Sequence, residues 1–120
     1  MLIKGQKFGN VEREDGIFRE NFDAIVGMAY PSFAEHGTTP VFDNMMSQHL
    51  LQDNLFAFFL TSKMDEEMEG LDSEITFGYY DKSKYTGDMV WHPILHKLMF
   101  GIQLDDVKVN GTSLGICNSR

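Results

Sequence analysis

Phe22-Asp23-Ala24-Ile25-Val26-Gly27-Met28-Ala29-Tyr30-Pro31-Ser32 is the stretch whose reading decides the rest of the chain. It joins an apolar run to a turn residue and a tyrosine-proline exit. Ile25 and Val26 are β-branched and suit a pleated surface, whereas Gly27 lacks the Cβ that would obstruct a turn or a close backbone approach. Taken alone, the segment predicts a short buried strand entering a tight turn. A core strand ending in glycine accounts for these residues without any chemistry, so the functional reading depends on what surrounds it.

Working outward, Thr39-Pro40-Val41-Phe42-Asp43-Asn44 opens the clearest helical signal, which extends to Leu51. Thr39 is placed to cap, Pro40 suits the first helical position, and Asp43 complements the positive end of the dipole. Phe42, Met45, Met46, His49 and Leu50 recur at spacings of three and four and predict one apolar face, with the methionines as core filler. Leu55-Phe56-Ala57-Phe58-Phe59-Leu60 is a continuous apolar run of strand length, the pattern of a strand buried on both faces. Ile75 and Phe77 alternate with polar neighbours, and Gly78 interrupts that strand. Upstream, Gln6 to Glu12 has the pattern of an edge strand, and Arg13 to Gly16 carries an Asp-Gly turn signal.

Further along come Tyr85-Thr86-Gly87 and then Asp88 to Ile94. Phe100 to Val109 alternates as a strand does, and Asn110-Gly111 is a strong hairpin signal. Asn110-Gly111-Thr112 is also an acceptor sequence for N-linked glycosylation; the turn by itself already explains the Asn-Gly pair. Asp65, Glu66, Glu67 and Glu69 precede Gly70 without the alternating spacing and closing carboxylate of a calcium loop, so a solvated acidic hairpin tip is the simpler reading. His92 and His96 stand four apart, as zinc ligands on a helix do, but Pro93 lies between them and no third ligand is apparent. No metal and no cofactor is expected.

Composition sets outer limits. The 120 residues are 42% hydrophobic and 12% aromatic, enough for a core of one small domain. A formal charge of -8 argues against nucleic-acid binding, which needs cationic side chains to displace counterions from phosphate. No run of apolar residues is long enough for a membrane span, and Met1-Leu2-Ile3-Lys4 passes at once into polar residues, unlike a signal peptide. A single cysteine, Cys117, cannot form a disulfide within these 120 residues.

In their order, FDAIVGMAYPS, TPVFDNMMSQHLLQDNLFAFFL, ITFGYYDKSKYTGDMVWHPI and the strand pair ending at Cys117 resemble the pepsin-like aspartic proteases over about Gly5 to Cys117. The resemblance implies a mainly β fold with short helices, forming part of a bilobal acid protease. Residues 1–87 would belong to the amino-terminal lobe, 88–96 would cross between lobes, and 97–120 would begin the carboxy-terminal lobe. It implies an aspartic endopeptidase acting at acid pH between hydrophobic residues; the alternative is a non-catalytic member that keeps the scaffold for binding or carriage. Val26 and Gly27 would support the catalytic loop. Ile25 would line the pocket for the side chain before the cleaved bond and Phe22 a neighbouring wall, although a core role suits both equally, and Met99 would contact substrate beyond that bond. Ala24 departs from the family pattern, in which glycine is common at this place. Cys117 would pair with a cysteine just past Arg120.

The resemblance also marks what these residues do not contain. No Asp-Thr-Gly or Asp-Ser-Gly is present, so no catalytic residue is assigned here. Tyr85-Thr86-Gly87 is not the family's substrate-covering flap, because the flap comes before the FD-x-I-x-G segment. By family order, the first aspartate and the flap fall before Met1 and the second aspartate after Arg120. The partners implied are peptide or protein substrates and those flanking segments of the same protein, and the setting implied is secreted or lysosomal/vacuolar.

Overall fold

A computed structural model describes residues 1–12, 22–62 and 70–117. The architecture is mainly β with one short helix, as expected: helix α1 (Val41–Ser47), then strands β1 (Phe56–Phe59), β2 (Glu74–Phe77), β3 (His96–Lys97), β4 (Phe100–Gly101), β5 (Lys108–Val109) and β6 (Thr112–Ser113). The strands form three separate antiparallel pairs, β1 with β2, β3 with β4 and β5 with β6. The acidic tip at 64–69 and the Asp-Gly signal at 15–16 lie outside the described residues.

The β1–β2 pair places Phe56 opposite Phe77 and Phe58 opposite Ile75 on one face, with Ala57 opposite Thr76 and Phe59 opposite Glu74 on the other. The first face meets α1. Phe42 packs edge-on against Phe56 with ring centres 4.9 Å apart and lies 6.4 Å from Phe77, while Phe56 also meets Phe100 of β4 at 5.4 Å. Such edge-to-face pairs each contribute about 0.5–1.5 kcal/mol beyond the area they bury. Met45 of α1 is the buried hydrophobic side chain among the described residues. On the opposite face, Lys84 Nζ lies 4.6 Å from the centre of the Phe59 ring and 3.9 Å from Glu74 Oε2, so the ammonium group sits over the ring beside the carboxylate.

Helix α1 is shorter than its apolar pattern predicts, and its ends differ from expectation. Thr39 does not cap it; the N-cap residue is Pro40, with no side-chain cap, and the Thr39 carbonyl instead accepts from Gln6 Nε2 at 3.1 Å. At the other end His49 takes φ +53. The His49 amide donates to Met46 and the Leu50 amide to Met45, the paired bonds of a helix stop built on a left-handed residue. His49 thus leaves the apolar face it was expected to share and becomes the terminator, a place usually taken by glycine.

Several expected strands are absent among the described residues. The Phe22–Ser32 segment is not a buried strand turning at Gly27: Ile25 is 71% exposed and Val26 64%, Gly27 keeps an ordinary φ, and a Cβ there would meet nothing within 4 Å. Its helical turn comes later, at Pro31–Phe33. Gln6–Glu12 and Asp88–Ile94 carry no ladder, and Val90 and Trp91 lie open to solvent. The Phe100–Val109 alternation supports only β4 and β5, with 102–107 outside any strand between them. Nor is Leu55–Leu60 buried on both faces, since Phe58 is 57% exposed and Leu60 70%. The common reason is that apolar alternation specifies a face to be covered, whereas a strand forms only where a second strand supplies the ladder.

The global dimensions agree. The radius of gyration is 18.3 Å, against roughly 14 Å for a compact domain of this length. The accessible surface is 10949 Å², where roughly 6,600 Å² is expected for a folded monomer of this mass.

Candidate substrate wall and its support

Four regions bring the sequence-marked residues into relation. Lys4 is held by the Gln48 side chain through both backbone groups: its amide donates to Oε1 and its carbonyl accepts from Nε2, each at 3.0 Å. One turn earlier on α1, Asn44 Nδ2 donates to Gln6 Oε1 at 2.8 Å. Asn44 and Gln48 are four apart and so share a helix face, which stitches the amino-terminal segment to α1. Sequence reasoning assigned neither residue a role, and the i, i+4 amide pair was the available signal.

The Tyr30 end of the Ile25–Val26–Gly27 segment is attached to the β3–β4 hairpin. The Tyr30 amide donates to the Leu98 carbonyl at 3.3 Å, Ser32 Oγ donates to the Lys97 carbonyl, and the Tyr30 and Phe100 rings lie 5.0 Å apart. Met99 occupies the turn of that hairpin and is 56% exposed. Phe22 and Ile25 lie upstream on the same segment, both exposed. The structure therefore joins the Met99 turn to the end of the Ile25 segment through Tyr30 and Ser32. No hydrogen bond links Ile25 itself to Met99.

Gly78 fixes where the chain leaving α1 crosses the end of β2. Its amide donates to the Leu55 carbonyl at 2.8 Å and its carbonyl accepts from the Asp53 amide at 3.2 Å. The chain leaving α1 crosses directly over it, so a Cβ would stand 3.1 Å from the Gln52 nitrogen, and φ is +85. The expected break of β2 at Gly78 is seen, and its cause is both the left-handed backbone and the crossing chain.

A hollow of about 350 Å³ is lined by Tyr80, Lys82, Tyr85, Asp88 and Trp91. Desolvation, with Tyr80 and Asp88 adding to it, pushes the Tyr85 phenol above its ordinary range. Asp81 accepts from the Ser83 amide at 2.8 Å, and this bond, with the Ser83 hydroxyl and Lys84 contributing, holds its carboxyl below the usual range. No pair of carboxylates converges there. Among the described residues no group of three or more His, Cys, Asp or Glu is placed to hold a metal, and no helix is long and apolar enough to cross a membrane. Cys117 is a half-buried free thiol.

The family model for eukaryotic aspartyl proteases matches residues 1–120, the whole chain. This chain belongs to the eukaryotic aspartyl protease family. Its similarity to individual proteins is substantial: it is 40% identical over 93% of its length to cathepsin E of Mus musculus, 41% over 95% to pepsin F of Oryctolagus cuniculus, and 41% over 92% to a pregnancy-associated glycoprotein of Equus caballus. In each case it spans 28% of the relative's length. Within an aspartyl protease, the architecture described above is part of a pepsin-like fold, as the motif order implied.

Proposed function

We propose that this chain forms the substrate wall and rear support of a pepsin-like aspartic endopeptidase, and that the two catalytic aspartates reside on segments flanking it. The end-to-end family match carries this reading. An aspartic protease works with two carboxylates that share a proton around a water: one takes the proton of the attacking water, and the other, protonated, polarises the scissile carbonyl. Neither carboxylate can come from this chain, which contains no Asp-Thr-Gly or Asp-Ser-Gly. Its contribution is apolar contact, with Ile25 and Phe22 on the side before the cleaved bond and Met99 beyond it. Val26 and Gly27 back the catalytic loop, and Cys117 pairs with a cysteine of the following segment. Residues 1–87 serve the amino-terminal lobe, 88–96 cross over, and 97–120 begin the second lobe. The setting is an acidic secreted or lysosomal compartment, as fits likeness to proteins named cathepsin E and pepsin F. A non-catalytic binding or carrier role stays as the second reading, because one similar protein is named a glycoprotein and not a protease.

Substrate contact and a core role at Ile25 are separated by substitution. In the full-length protein, Ile25→Asp should lower kcat/KM about 10- to 150-fold for peptides with Leu or Phe before the cleaved bond, since burying such a side chain contributes about 1.5–3 kcal/mol. Peptides with Lys at that place should lose far less. An equal loss for both substrates would mark Ile25 as structural.

A further inference from the structure

We propose that Asn110 is the acceptor of an N-linked oligosaccharide, an inference that rests on the secretory setting proposed above. The β5–β6 pair matches Lys108 with Ser113 and Val109 with Thr112, leaving Asn110 and Gly111 as the whole loop. Both have positive φ, +49 and +80, the geometry of the tight hairpin turn for which Asn-Gly is suited. The acceptor triplet therefore spans the tip, with Asn110 and Thr112 both exposed. A bulky, hydrated glycan requires such a surface position after folding.

The distribution of hydrogen bonds distinguishes this triplet from its surroundings. Ser113, one residue on, is fully engaged: its hydroxyl donates to Asp106 Oδ1 at 2.6 Å and accepts from the Gly115 amide at 3.1 Å. Farther down, the Leu114 amide donates to the Val107 carbonyl at 2.9 Å. Among the described residues, neither the Asn110 amide group nor the Thr112 hydroxyl is tied into this network. The hairpin is thus fastened below the tip by Asp106 and Ser113, and the two groups that an acceptor triplet must present are left available. Modification there would break no bond of the fold.

The donor is a lipid-diphosphate-linked oligosaccharide. Asn110 Nδ2 bonds to the anomeric carbon, the carbon–oxygen bond to the diphosphate breaks, and the lipid diphosphate departs with the electron pair while the amide loses one proton. The structural cost is nil, but the glycan changes the chemistry of the site, because it also removes the free amide from an Asn-Gly pair otherwise prone to cyclise and deamidate.

The test expresses the full-length protein in a eukaryotic secretory host, once with its own amino terminus and once behind a heterologous leader, with a control acceptor triplet appended to the carboxy terminus. Enzymatic deglycosylation in heavy-oxygen water, followed by peptide mass analysis, should label Asn110. A digest without glycosidase must stay unlabelled, which separates glycan removal from spontaneous deamidation. Thr112→Val, which keeps the Asn-Gly turn, and Asn110→Gln should each abolish the label, whereas Thr112→Ser should retain it. Labelling only behind the heterologous leader would uphold the site and refute the proposed compartment. Leader-directed protein modified at the control triplet but bare at Asn110 would overturn the proposal.

Discussion

Purified alone, the 120-residue chain should bind a hydrophobic dye strongly and unfold by heat without a cooperative transition, or else associate through its strand edges. The expectation follows from surface that is apolar and uncovered: Ile25, Val26, Leu60, Val90 and Trp91 are all at least 64% exposed, and the chain exposes far more area than a compact monomer of its mass. Each large side chain left in water forgoes about 1.5–3 kcal/mol of burial, and a domain's whole margin is only about 5–15 kcal/mol. A few uncovered residues therefore decide the outcome. Unpaired extended segments such as Asp88–Ile94 add open backbone edges on which further chains can pair. Dye fluorescence, light scattering and calorimetry would check this; a monodisperse monomer with dispersed amide resonances and a sharp transition would contradict it and favour a self-contained binding domain.

The second large effect is expected at Gly78. In the full-length protein, Gly78→Ala should cost about 2–4 kcal/mol, combining the penalty of an L-residue in the left-handed region with the shift forced on a packed neighbour. The neighbour is backbone, Gln52 nitrogen at 3.1 Å from the new Cβ, and cannot swing aside as a side chain would. Gly87→Ala is the matched control, because its φ is +77 but nothing lies within 4 Å of its Cβ. It should cost about 1–2 kcal/mol, the conformational part alone. Denaturant midpoints of the two variants would measure the difference, and equal losses would show that the crossing of Gln52 over Gly78 contributes nothing.

Local chemistry was legible in the sequence where it was self-contained. Asn110-Gly111 specified its own hairpin, Gly78 its own strand break, and the Pro40–Asp43 region the start of a helix, because each depends on neighbours in sequence. The extended segments were not legible in the same way. Phe22–Ser32 and Asp88–Ile94 have the composition of buried strands, but composition does not name the strand that must lie beside them, and the described residues supply none. The left-handed stop at His49 was hidden because histidine at spacing four from Met45 imitates an apolar stripe. The clamp of Gln48 on Lys4 was hidden for a different reason: it joins residues 44 apart in sequence, and no pattern within a single segment encodes it. For the candidate substrate wall, the residue types were readable from motif order, whereas the seam joining Tyr30 and Ser32 to the β3–β4 hairpin emerged only in three dimensions.

The most direct test of the central claim is peptide hydrolysis at about pH 3–5, the range in which one carboxylate of a shared-proton pair is charged and the other is not, by this chain alone and by the full-length protein. The purified chain, which lacks both base and acid, should cleave nothing, and the full-length protein should cleave a haemoglobin substrate in a pepstatin-sensitive way. Pepstatin-sensitive cleavage by the chain alone, free of contaminating protease, or a correctly folded full-length protein without any, would contradict the central claim.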